Sequence, residues 1–225
     1  TAMTTQRATQ SRSAGISYQE LIAQDQVPPS RPLTLESPLD IPMVSVPVTR
    51  YTTREFHELE MQRLWPKVWQ MACREEEIPE VGDYVIYEIG RHSIIVVRAQ
   101  DGIRAHHNVC RHRGRQVVDY DGHVANFICP FHGFAYNLDG SLREIPSEWD
   151  FPHVDKSEYG LTPVKTDTWG GWVFVNMDTN AEPLADFLGD LPAHFEPWAP
   201  QDRYIEAHVG KVINCNWKVC QEAFM

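Results

Sequence analysis

Hydrophobic and polar positions divide the chain into stretches of different period. In TTREFHELEMQRLWPKVWQMACREEE (52–77), Phe56, Leu59, Glu60, Arg63 and Leu64 fall at helical spacing. Thr52 or Thr53 supplies an N-cap. Pro66 predicts a break, because its ring removes an amide donor and crowds the preceding turn. Trp65 and Trp69 read as core anchors, and Glu75 to Glu77 as a solvated turn. From residue 81 the period becomes two. DYVIYEI (83–89), SIIVVRA (93–99) and IRAHHNV (103–109) are strand-like runs, separated by Gly90-Arg91 and Asp101-Gly102. VANFI (124–128) lies between the Asp-Gly turns at 121–122 and 139–140, and GGWVFVNM (170–177) is a further apolar strand. After about residue 178 the alternation loosens into AEPLADFLGDLPAHFEPW. One more strand is expected around RYIEAHVGKV (203–212), and NCNWKVCQEAFM (214–225) reads as the first turns of a helix. The fold class predicted is mainly β, an antiparallel domain of many short strands.

Composition changes this picture at the N-terminus. Pro28, Pro29, Pro32, Pro38, Pro42 and Pro47 exclude a long helix or central strand from residues 1–50. That segment reads as an extended arm, with SYQELIAQ (17–24) as its one short helix. The 225 residues suffice for one large domain, or for one domain and part of a second. A formal charge of −11 argues against a nucleic-acid partner, which needs a basic face. No run reaches the roughly 18 apolar residues of a membrane span, and the N-terminus has no apolar signal-peptide core. Five cysteines, an odd number, do not suggest a disulfide scaffold. A soluble, cytoplasmic protein is expected.

The candidate chemistry lies in CRHRGRQVVDYDGHVANFICPFH (110–132). Each of two loops carries one cysteine and one histidine: Cys110 with His112, and Cys129 with His132. Four such donors on β-loops point to metal. Zinc modules more commonly pair like with like, so a zinc site is the weaker reading. Two facing loops of mixed composition place both thiolates on one metal and both imidazoles on a second. That suits a [2Fe–2S] cluster with His₂ in place of Cys₂ on one iron, the Rieske centre. His92, His106, His107 and His123 do not compete. His106 and His107 point to opposite faces of a strand, and all four read as surface or packing residues.

The flanking residues strengthen the case. CRHRG and CPFHGFAYNLDG resemble the Rieske pattern C-x-H-[RL]-G … C-x-x-H-G-x-x-Y/F-x-x-x-G. Gly114 and Gly133 are expected to let backbone amides approach the cluster sulfurs. Respiratory Rieske proteins carry an extra cysteine in each loop and a serine after the second His-Gly. Here Arg115 and Phe131 stand at the cysteine places and Phe134 at the serine place. The resemblance therefore implies a potential in the lower part of the Rieske range of roughly −150 to +300 mV.

Residues 51–225 as a whole resemble the large (alpha) subunit of Rieske non-haem iron oxygenases, the aromatic-ring-hydroxylating dioxygenases and their relatives. The likeness runs from FHELEMQRLWPKVWQMAC through GWVFVNMD to NCNWKVCQEAFM, which is similar to the family's N-W-K-x-x-x-E-N-F helix opening. It implies an arm (1–50), a Rieske domain with helical lead-in (51–178), and the beginning of an α+β catalytic domain (179–225). It also implies a reductase, with or without a ferredoxin, as electron donor. The cluster would feed a mononuclear Fe(II) site that activates O₂ against an aromatic substrate. The ligands of that iron follow the NWK helix in the family, so none is assigned within these residues, and a longer protein is expected. The implied assembly is a homotrimer or α3β3 hexamer in which the cluster serves a neighbour's iron. Phe134 replaces the family's usual tryptophan, and Ala223 an asparagine. Glu222 keeps a glutamate expected to act as a structural hydrogen-bonding residue. The alternative is a stand-alone Rieske electron carrier without a substrate site.

Overall fold

The computed structural model describes residues 18–24, 26–27 and 45–224. Most of the arm lies outside the described residues. Within it, helix α1 (Tyr18–Ala23) matches the short helix expected at 17–24. The lead-in is two helices, α2 (Thr49–Thr52) and α3 (Arg54–Arg63). Thr53 is the cap between them, its hydroxyl accepting from the Phe56 amide at 3.4 Å. The α-helix stops before Pro66, and a single 3₁₀ turn over Trp65–Lys67 carries the chain into the sheet.

Ten strands follow: β1 (Gln70–Arg74), β2 (Asp83–Ile89), β3 (His92–Ala99), β4 (Gly102–His107), β5 (Gly122–His123), β6 (Phe127–Ile128), β7 (Ala135–Tyr136), β8 (Leu142–Glu144), β9 (Pro163–Trp169) and β10 (Trp172–Asn176). Seven form one antiparallel sheet, ordered β1-β10-β9-β4-β3-β2-β5, and β6-β7-β8 form a small second one. VANFI contributes only its last two residues to a strand. Strand β9 was not anticipated, although Val164, Thr166 and Thr168 alternate in it before the Gly170-Gly171 turn.

Strand β3 separates two cores. Successive side chains leave a strand on opposite faces, and all four of Ile94, Ile95, Val96 and Val97 are fully buried. Ile95, Val97 and Ala99 pack with Tyr84, Phe127, Phe134, Tyr136 and Leu142. Ile94 and Val96 pack on the other face with Ile78, Val164, Val173 and Val175. Burial of each such side chain is worth roughly 1.5–3 kcal/mol, so a one-residue slip of β3 would exchange the two sets.

Beyond β10 the chain forms helices α4 (Leu184–Leu188) and α5 (Leu191–Phe195). Leu184 and Leu188 bury against Trp69 and Phe174, so Trp69 is the core anchor expected. The strand expected over 203–212 does not form. That stretch is exposed and has no strand partner among the described residues, and Val209 and Val212 contribute to no core. Alternation alone cannot hold a strand whose amides find no neighbour. The helix expected near the C-terminal residues is present as α6 (Trp217–Glu222), capped by the Asn216 side chain accepting from the Lys218 amide at 3.0 Å.

Candidate metal centre

Both donor loops follow strands. Cys110-Arg111-His112 leaves the end of β4, and Cys129-Pro130-Phe131-His132 joins β6 to β7. The two loops close in the same way. The Cys110 amide donates to the Arg115 carbonyl at 2.8 Å, and the Gly114 amide returns to the Cys110 carbonyl at 2.9 Å. In the second loop, Cys129 donates to Phe134 at 2.8 Å and Gly133 to Cys129 at 3.0 Å. Gly114 and Gly133 make these closures at φ of 73° and 76°, the left-handed region that disfavours side chains. A Cβ at Gly133 would also stand 2.9 Å from Pro146 Cγ. The glycine amides thus serve loop carbonyls. The amides aimed at the Cys129 sulfur are those of Phe131 and His132, which hold its thiol down while burial pushes it up more strongly.

The four donors sort by chemistry. Cys110 and Cys129 are buried at 3% and 2% exposure and lie beside one another, the Cys110 thiol helping to raise that of Cys129. His112 is half-buried and His132 exposed, and their rings lie 4.8 Å apart. Burial disfavours protonation of His112, and the neighbouring His132 and Arg113 act in the same direction. Phe134 stacks on the His112 ring at 4.6 Å and an interplanar angle of 2°. Phe151 meets both rings edge-on.

Two residues that support the loops were not singled out from the sequence, although Tyr136 fills the Y/F place of the second motif. Asn108 is completely buried two residues before Cys110. Its Oδ1 accepts from the amides of Val117 and Val118, and its Nδ2 donates to the Val118 carbonyl and Ser93 Oγ. The only signal was an asparagine near the end of the strand-like run IRAHHNV. Tyr136, on β7, is fully buried. Its hydroxyl accepts from the Arg111 amide at 3.0 Å and lies 3.2 Å from Cys110 Sγ.

The remaining histidines stay apart from this centre. His106 is buried, with Nε2 3.1 Å from the Leu138 carbonyl, which requires the proton on Nε2. His107 faces His92 with ring centroids 6.2 Å apart, and His123 Nδ1 lies 2.8 Å from Asp83. Glu222 accepts from the Tyr51 hydroxyl at 2.6 Å, the structural hydrogen bond expected of it.

Among the described residues, no three His, Cys, Asp or Glu side chains converge where one metal ion could sit. The donors come as a thiol pair and an imidazole pair. A single tetrahedral ion needs four donors about one point, whereas a two-iron cluster with bridging sulfides needs two protein donors on each iron. The donor set therefore fits such a cluster. Residues 68–155 match the family model of the Rieske [2Fe–2S] domain. The chain is 35% identical, over 182 residues, to the glycine betaine monooxygenase oxygenase subunit of Pseudomonas aeruginosa, covering 79% of this chain and 42% of that protein.

The chain belongs to the Rieske oxygenase large-subunit family.

Two solved structures of Rieske oxygenases resemble it. The apo form of a quaternary ammonium Rieske monooxygenase superposes with a TM-score of 0.74 at 27% identity, covering 79% of this chain and 53% of that one. Naphthalene 1,2-dioxygenase from Rhodococcus sp. superposes with a TM-score of 0.63 at 37% identity, covering 67% and 36%. The Rieske chain described here spans less than half the length of its curated relative. No helix among the described residues is long and apolar enough to cross a membrane.

Proposed function

We propose that this chain is the electron-relay part of an oxygenase large subunit, with Cys110 and Cys129 holding one iron of a [2Fe–2S] cluster and His112 and His132 the other. The observation that carries the reading is the sorting of the donors, a buried thiol pair beside an imidazole pair that reaches the surface. When bound, the cluster supplies one-electron relay between a reductase or ferredoxin and a mononuclear Fe(II) that activates O₂. The protein's own part is to hold the donors. Asn108 fixes the first loop, the Phe134 stack orients His112, and the amides of Phe131 and His132 with the Tyr136 hydroxyl offset charge on the sulfurs. The exposed edge of His132 is where a partner would approach, whether a reductase or a neighbouring subunit of a homotrimer or α3β3 assembly.

Two substrate classes are supported by different observations. Among the solved structures, the likeness covering more of the chain is to a quaternary ammonium monooxygenase, which favours a quaternary ammonium substrate. The second reading, an aromatic ring, is supported by the higher identity to naphthalene dioxygenase over a shorter stretch. Anaerobic reconstitution should give two irons and two acid-labile sulfides per chain, with the rhombic electron-paramagnetic signal of a His-ligated cluster on reduction. Cys129→Ala should lose both. One zinc per chain and no colour would reject the cluster. The gene's full product, supplied with reductase, should consume O₂ with a quaternary ammonium compound; consumption only with aromatic compounds would move the assignment to the second class.

A further inference from the structure

Three of the five cysteines lie outside the proposed cluster. Cys73, on β1, is buried in the second core, and burial pushes its thiol up to about 12. It is a packing residue with almost no thiolate at neutral pH. Cys215 and Cys220 are different. They bracket the first turn of α6, one exposed and one half-buried, with their Sγ atoms 3.2 Å apart. Neither belongs to a core cluster.

The backbone between them is held on both sides. Asn216 caps the helix through Lys218 and donates from Nδ2 to the Tyr51 carbonyl at 3.1 Å. Trp217 Nε1 donates to Glu60 at 3.2 Å, and Lys218 Nζ donates to the same carboxylate at 2.5 Å. The Cys215 amide donates to the Ile213 carbonyl at 2.9 Å. With the turn pinned, the sulfurs need approach by only about 1.2 Å to reach disulfide bonding distance.

We propose that Cys215 and Cys220 form a reversible dithiol–disulfide site, oxidised by hydrogen peroxide or an organic hydroperoxide, that staples the first turn of α6. Either sulfur can attack, and the other, 3.2 Å away, resolves. The attacking sulfur cleaves the peroxide O–O bond and becomes a sulfenic acid, releasing water from hydrogen peroxide or the alcohol from an organic hydroperoxide. The second thiol then displaces the sulfenic oxygen as water and forms the S–S bond. Overall, two thiols lose two electrons and two protons, and one H₂O₂ becomes two H₂O. A small-molecule dithiol reverses the step and is itself oxidised to its disulfide. Closure would fasten the turn carrying Trp217 and Lys218, so the redox state of the pair would set how firmly α6 is anchored to α3.

Trypsin provides a direct readout. It cuts after Lys211 and Lys218, so the two cysteines fall on different peptides, joined only if the bridge exists. The cluster-loaded chain would be titrated with hydrogen peroxide at doses that leave its visible absorption unchanged, then alkylated and digested without reductant. The expected result is loss of two alkylatable thiols per chain and a linked peptide pair lighter by two hydrogens. The link should vanish with dithiothreitol, be absent from Cys215→Ser and Cys220→Ser, and persist in Cys73→Ser. Any of three outcomes in the wild-type chain would overturn the proposal. These are no link, a sulfinic or sulfonic acid on either cysteine in its place, or a link between two copies of the chain seen as a dimer on a non-reducing gel.

Discussion

The Tyr136 hydroxyl oxygen stands 3.2 Å from Cys110 Sγ and 3.0 Å from the Arg111 amide, joining a buried strand to the base of the first donor loop. The oxygen accepts from the amide, and between hydroxyl and thiol either group can donate; a thiolate can only accept. A thiolate at Cys110 would receive that donor with no rearrangement.

Replacing Tyr136 with Phe keeps the buried ring and removes the donor. A hydrogen bond of about 1 kcal/mol that favours the more negative, reduced cluster corresponds to roughly 40 mV for one electron. The reduction potential of Tyr136→Phe should fall by a few tens of millivolts, with iron content unchanged. A potential equal to wild type in a spectroelectrochemical titration would show that the hydroxyl does not tune the cluster.

Asn108→Ala should destabilise the fold. It strands the amides of Val117 and Val118 in a dry site, at a cost of about 2–4 kcal/mol. Lower thermal stability together with reduced iron retention is expected, since the first loop hangs from this side chain. A variant as stable as wild type would mean that water enters and replaces the amide.

The pH dependence of stability follows from two histidines. Burial lowers the pKa of His106 below its ordinary 6.5, against smaller opposing effects of the Leu138 carbonyl and Asp139. His107 is lowered by burial and by His92. In the window between these depressed values and 6.5, the unfolded chain binds more protons than the folded one. Stability is therefore fully present above about pH 6.5 and declines as pH falls through that window, by up to roughly 1.4 kcal/mol per pH unit for each group. Melting temperatures measured between pH 5 and 8 should show the decline, and His106→Gln should make it shallower. An unchanged slope would exclude His106 as a contributor.

Glu60 is the buried acceptor for both Trp217 and Lys218, while the Lys218 ammonium also lies 5.2–5.3 Å from the ring centroids of Tyr51, Phe56 and Trp217. Breaking a buried ion pair by removing one partner costs about 3–5 kcal/mol. Glu60→Ala should increase amide exchange in α6 and in α2–α3 while leaving the strands protected. Uniform loss of protection would show that the contact supports the whole domain.

The sequence by itself determined the candidate donors, their loops and the main strands. Mixed Cys-His pairs carry their own chemistry, and period-two alternation assigns each residue of β2, β3 and β4 to a face whatever the neighbours are. Local signals also sufficed for a threonine cap at 52 or 53, the stop at Pro66 and the opening of α6. What alternation cannot say is which strand lies alongside, and so it promised a strand over 203–212 that finds no partner among the described residues and passed over β9, which does. Only the tertiary structure brought Tyr136 to Cys110, across 26 residues, and Lys218 to Glu60, across 158. It also decided that the thiols face inward and the imidazoles outward. That sorting comes from packing: the core formed by β3 and the small sheet closes over the sulfurs, and the histidines, two and three residues further along each loop, lie beyond its edge.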